Sequence, residues 1–268
     1  MTATSTLCHI DQLSVAYSRT GEPALIDVTL TITRGRKLAI IGESGSGKST
    51  LAKAIANLLP GSATVTGEIT WKGPSGNIAN APLSGKDIGY VFQDPGASLN
   101  PLLTVGEQVS EGAVRHLGLS WSQARERARD LLEKVNLPHP THLLSAYPHQ
   151  LSGGQRQRVA IAAAIAAEPS ILITDEATSA LDTVSQSSII SLLNDLVVED
   201  DRTLVFVTHD IGLASSLADD IAVLSRGRMV ETGQAGRVLT TPTQDYTRSL
   251  LANYIDFDTP SLIDGARP

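Results

Sequence analysis

The run Gly42-Glu43-Ser44-Gly45-Ser46-Gly47-Lys48-Ser49 fits the pattern G-x-x-x-x-G-K-[ST], the phosphate-binding P-loop. Glycines let the backbone curl so that successive N–H groups point inward at a polyphosphate, and a helix beginning there adds positive potential. In such a loop Lys48 lies against the β- and γ-phosphates, and the Ser49 hydroxyl completes the coordination of Mg²⁺. A second cluster, Asp175-Glu176, closes the apolar run Ile171-Leu172-Ile173-Thr174. One carboxylate at a strand end can hold Mg²⁺ through its water shell, and the next can orient an attacking water. A third, Leu151-Ser152-Gly153-Gly154-Gln155, puts a serine and two glycines at a helix start, an anion cradle in its own right. One triphosphate does not need two cradles from a single chain.

Strands and helices must hold these groups. Lys37-Leu38-Ala39-Ile40-Ile41 reads as a buried strand entering the loop. Thr50 to Leu59 reads as a helix leaving it, apolar at Leu51, Ala54, Ile55, Leu58 and Leu59. Val15 and Tyr17, then Leu25 to Ile32, read as short strands, with Gly21 and Pro23 marking the turn between them. Gly61 to Gly85, with alternating Val65, Ile69 and Trp71, reads as a small β excursion and loops. From about Gln93 to Ala167 the pattern is helical. Ser120 and Gln123 predict a capping box. Ala124, Ala128, Leu131, Leu132 and Val135 then form an apolar stripe opposite a solvated face of Arg125, Glu126, Arg127, Arg129, Glu133 and Lys134. Strands return at Ile171 to Thr174, Thr203 to Val207 and Ile221 to Leu224, with helices at Thr183 to Val198 and Gly212 to Ala218 between them. The alternation predicts an α/β fold, a parallel sheet flanked by helices and interrupted by a helical insert.

With Leu151-Ser152-Gly153-Gly154-Gln155 between the P-loop and Asp175-Glu176, the chain resembles the ATP-binding subunits of ABC transporters, whose signature is that pentapeptide. The resemblance covers about residues 7–250. It implies a P-loop NTPase core with an N-terminal antiparallel β region and an inserted α-helical subdomain. The expected bounds are 1–92 and 168–250 for the core with its β region, 93–167 for the helical signature subdomain and 251–268 for a C-terminal tail, all within one domain of 1–268. ATP and Mg²⁺ are the implied ligands, and the implied assembly is a head-to-tail dimer. In it Gly42, Ser44, Gly45, Ser46, Gly47, Lys48, Ser49 and Thr50 of one subunit clamp ATP against Ser152, Gly153, Gly154 and Gln155 of the other. By the same resemblance Tyr17 stacks on adenine, and Gln93 senses Mg²⁺ and water. Ser179-Ala180-Leu181-Asp182 crosses to the partner, and His209 contacts the γ-phosphate. Glu176, His209, Lys48 and Gln93 form the implied catalytic set, and Ser49, Gln93 and Asp175 face the metal.

Composition narrows the remaining classes. The length of 268 residues and 41% hydrophobic content suit one large soluble α/β unit. The longest apolar run, Val159 to Ala167, is too short to span a bilayer, and the start Met1–Thr6 lacks a basic, apolar leader pattern. The chain is therefore expected to stay in the cytosol, and the resemblance implies a peripheral subunit at the cytoplasmic face of the membrane. The single cysteine, Cys8, excludes an internal disulfide and a Cys-based metal cluster. A net charge of −7 argues against nucleic acid as a partner. Val91-Phe92-Gln93-Asp94-Pro95, Ser98-Leu99-Asn100-Pro101, Tyr147-Pro148-His149-Gln150, and Pro242 with Asp245-Tyr246-Thr247-Arg248 resemble the oligopeptide/dipeptide/nickel importer subfamily. That resemblance implies a second, different ATPase, two permeases and an extracellular solute-binding protein. Peptides are the leading cargo, with nickel or a metal chelate as the alternative. A repair or ribosome-associated ATPase would need a longer insert, zinc-binding cysteines or a second P-loop, and a module that never hydrolyses ATP would not need Glu176 and His209.

Overall fold

The computed structural model describes residues 5–18, 21–73, 75–177, 183–199 and 201–255. Among them the strands form two sheets. β1 (Thr6–Ala16), β2 (Leu25–Thr33), β4 (Thr64–Lys72) and β5 (Ile78–Ala79) make an antiparallel sheet in the order β2-β1-β4-β5. The second sheet runs β10 (Arg228–Gln234), β9 (Asp220–Ser225), β3 (Lys37–Ile41), β8 (Thr203–Val207), β7 (Ile171–Asp175), β6 (Ile88–Val91). Its strands are parallel except β10, which turns back on β9.

β7 and β8 are buried at every position, without alternation, because both faces are covered. Successive residues point to opposite faces. Leu38, Ile40, Ile173, Val205 and Val207 pack toward the helix α1 (Lys48–Ile55) and the antiparallel sheet. Ala39, Ile41, Leu172, Leu204 and Phe206 pack in a core shared with α3 (Val105–Leu117), α4 (Trp121–Lys134), α6 (Gly153–Ile165), α7 (Thr183–Glu199) and α8 (Ile211–Leu217). Between Gln93 and Ala167 the described elements are helical: the short α2 (Pro95–Ser98) and α5 (Pro140–Leu143), a 3₁₀ turn, and α3, α4 and α6. The capping box of Ser120 and Gln123 forms, and Ala124, Ala128, Leu131, Leu132 and Val135 are buried.

The structure corrects several boundaries. The helix after the P-loop begins two residues earlier than predicted and stops at Ile55, because Asn57 turns left-handed (φ 54°) ahead of Pro60. Leu58 and Leu59 still pack on the core, from a loop. β1 runs eleven residues, and Tyr17 lies just past its end rather than within a strand. β10, α9 (Ala235–Thr240) and α10 (Asp245–Ile255) were not foreseen, and α10 runs through the expected tail boundary at 250. The sequence of β10, Arg-Met-Val-Glu-Thr-Gly-Gln, has little apolar content, since it is an exposed edge strand.

Register sets where the loops emerge. Ile40 pairs with Val207, Val207 with Asp175, and Thr174 with Val91. The segments that carry Gly42, His209, Glu176 and Gln93 therefore leave the sheet side by side at its carboxyl edge, where open α/β sheets bind ligands.

Candidate active site

Gly42 and Gly47 shape the P-loop by necessity. Gly42 has φ 151°, and a Cβ there would stand 2.2 Å from the Leu224 carbonyl oxygen. Gly47 has φ 103°, with its Cβ position 2.6 Å from the Ala24 carbonyl oxygen. Between them Ser44 and Gly45 are exposed and Ser46 is buried. The Lys48 ammonium reaches back across the curl and donates to the carbonyl oxygens of Gly42 and Glu43, each at 2.8 Å. Burial pushes the Lys48 pKa down, against the opposing pull of Glu176, Asp175 and Glu43.

Ser49 Oγ donates to Asp175 Oδ1 at 2.8 Å, and the Tyr90 hydroxyl donates to Asp175 Oδ2 at 3.1 Å. Both carboxylate oxygens are thus engaged in a residue only 4% exposed. Glu176 sits in the left-handed region (φ 48°), its N–H bonded to the Val207 carbonyl at 3.0 Å. Such a backbone costs energy and turns the side chain out of the strand direction. Glu176 Oε2 accepts from Gln93 Nε2 at 2.9 Å, and Oε1 lies 3.6 Å from His209 Nδ1. A cleft of about 450 Å³, lined by Ser49, Gln93 and Asp175 with Lys53, Phe92, Asp94 and Ser98, opens beside them. Tyr17, 44% exposed, donates to Thr50 Oγ1 at 3.2 Å.

Lys48, Ser49, Thr50, Tyr17, Gln93, Asp175, Glu176 and His209 thus gather around one loop. Ser152, Gly153, Gly154 and Gln155 form a separate unit at the start of α6. Ser152 Oγ accepts from the Gln155 N–H, and Gln155 Oε1 accepts from the Ser152 N–H. A Cβ at Gly153 would meet nothing within 4 Å, so the chain's own packing does not require glycine there. Ser179, Ala180, Leu181 and Asp182 lie outside the described residues. Tyr90 was missed in the sequence. Its signal was a tyrosine in a short buried strand, where the hydroxyl must find a partner.

The groups present fit a nucleotide. Ser46 Oγ is buried without a hydrogen-bond partner, inside a loop whose cation is satisfied by carbonyls alone. They also fit Mg²⁺. Among the described residues no cluster of three or more His, Cys, Asp or Glu could cage a metal, whereas one hydroxyl beside one carboxylate suits an ion that keeps waters and phosphate oxygens.

Fold and site together define a P-loop ATPase. The family model described as ABC transporter matches residues 25–179, more than half the chain. The oligopeptide transport ATP-binding protein OppD of Bacillus subtilis (strain 168) is 40% identical over 92% of this chain and 71% of its own length. The glutathione import ATP-binding protein GsiA of Salmonella typhimurium (strain LT2) is 39% identical over 91% of this chain, which spans 41% of that relative. Among solved structures, a dimeric ATP-binding cassette in a post-hydrolysis state bound to ADP and Pi superposes with a TM-score of 0.73 at 32% identity, covering 85% of this chain and 99% of that one. The chain belongs to the ABC transporter family, as an ATP-hydrolysing subunit.

Proposed function

We propose that this chain powers an ABC importer for di- and oligopeptides, acting as a peripheral ATPase on the cytoplasmic face of the membrane. The observation that carries the chemistry is the placement of Glu176 between Gln93 and His209, immediately after Asp175, which Ser49 bonds. Glu176 polarises a water for attack on the γ-phosphorus, and the bond to the β–γ bridging oxygen breaks to give ADP and phosphate. Gln93 orients the carboxylate, while Lys48 and His209 face the charge that develops on the transferred group. Ser49, Gln93 and Asp175 would hold Mg²⁺, which would supply positive charge against the phosphate oxygens. Tyr17 offers a ring for adenine. Gly42 and Ser44 through Thr50 surround the phosphates, with backbone N–H groups and the Ser46 hydroxyl as donors.

The open flank of Gly153 supports the second half of the reading. Ser152, Gly153, Gly154 and Gln155 close on the ATP of a partner cassette, and Ser179 to Asp182 cross to it. The helical segment 93–167 passes closure and reopening to two membrane permeases. Among the described residues no helix is long and apolar enough to cross a membrane, so spanning segments are assigned to those permeases. A solute-binding protein delivers the cargo, and nucleic acid has no part. The activities that name the relatives, oligopeptide transport and glutathione import, support peptides as the substrate class. Affinity capture from detergent-solubilised membranes is expected to recover two permeases, a second cassette and a solute-binding protein carrying a peptide. Recovery of ribosomes or nucleic acid without membrane proteins would sink the transport reading.

A further inference from the structure

The segment Pro242 to Arg248 plays no part in the chemistry above, yet its side chains are bonded into one unit. The Thr243 N–H and hydroxyl both donate to Glu231 Oε1 at 2.8 Å, and the Gln244 N–H donates to Oε2 at 3.3 Å. Arg248 closes the other side, donating to the Pro242 and Thr243 carbonyl oxygens at 3.2 and 2.9 Å and pairing with Asp245. Thr247 is fully buried, and Tyr246 packs against the core cluster. Burial opposes the charge on Glu231, but the bonds from Thr243 and Gln244 prevail and hold its pKa down to about 2.

This clasp ends on the P-loop. The Glu43 N–H donates to the Tyr246 hydroxyl at 3.5 Å, while Lys48 holds the Glu43 carbonyl from inside the curl at 2.8 Å. The arc Glu43–Gly45 is otherwise exposed. An exposed loop that must order itself around phosphates loses affinity to that ordering, and a contact that fixes it beforehand recovers it.

We infer that Tyr246 is a positioning residue for nucleotide binding, seated by the Glu231 clasp so that its hydroxyl fixes the first turn of the P-loop. The inference rests on the nucleotide reading of that loop. It gives the C-terminal segment an influence on ATP affinity from outside the site, and linkage makes the effect reciprocal: bound nucleotide tightens the clasp.

The test is equilibrium binding of a slowly hydrolysed ATP analogue to the full chain, with the nucleotide-free Tm measured in parallel. Tyr246→Phe removes one hydroxyl and is expected to weaken binding roughly three- to tenfold with Tm essentially unchanged. Glu231→Gln, remote from the loop, is expected to weaken binding in the same direction and to speed amide exchange at Glu43. Parental affinity in Tyr246→Phe overturns the inference, and a lowered Tm with parental affinity overturns it in favour of a purely structural clasp. Failure of the parent chain to bind the analogue would instead strike the nucleotide reading itself.

Discussion

The proposed mechanism gives Glu176 and Lys48 different tasks, and variants separate them. Glu176→Gln keeps the size of the side chain and removes its basicity, so turnover is expected to fall by at least about a hundredfold while ATP affinity stays within a few-fold. Single-turnover kinetics beside equilibrium binding checks this, and an active variant would remove Glu176 as the general base. Lys48→Ala removes charge-assisted bonds to phosphate and is expected to weaken ATP binding at least tenfold, by about 1.5–3 kcal/mol. The depressed pKa of Lys48 adds a pH signature. Phosphate favours the charged ammonium, so affinity should fall as pH climbs toward the ordinary lysine value of 10.5, and this fall should be absent in Lys48→Ala. Tyr90→Phe strands one oxygen of the buried Asp175 carboxylate and should cost about 1–3 kcal/mol in urea unfolding.

At the scale of elements, the start of α6 caps its helix and, in the proposed reading, also faces the partner's ATP in the same residues. Ser152→Ala removes the N-cap acceptor and is expected to cost about 1 kcal/mol of stability. Ser152→Arg loses the cap too, but also projects a long side chain from the face assigned to the partner's ATP. It should abolish turnover with nucleotide affinity retained, whereas Ser152→Ala should keep partial activity. Equal activity in the two variants would count against closure at this face. The clasp has its own pH range. A carboxylate with a depressed pKa contributes stability above its unfolded value and loses it only as pH falls toward the folded value, here about 2. Between neutral and mildly acidic pH, the affinity difference between parent and Glu231→Gln should therefore stay constant.

For the whole molecule, the proposed closure of Ser152 to Gln155 on the ATP of a second cassette predicts a change in mass. Glu176→Gln with ATP and Mg²⁺ is expected to double in mass when the second cassette is supplied, and to return to the starting mass when nucleotide is removed. Light scattering measures both. The core shared by the sheet and helices α3, α4 and α6 is the packed unit through which the proposed closure would act.

Motif spacing by itself determined the P-loop, the strand-end acids and the helix start at Ser152, because each is a short run of adjacent residues. Continuous apolar runs determined the buried strands, and periodicity determined α4, where burial repeats with the period of the helix. It did not reveal β10 or α10: an edge strand exposes most of its side chains, and α10 is fixed by contacts to segments far away in sequence. Tertiary structure alone decided that Tyr90 serves Asp175, 85 residues away, and that Tyr246 reaches Glu43 across 203. It also decided that Glu176 lies between Gln93 and His209, because strand register, which no local pattern encodes, sets which loops leave the sheet together.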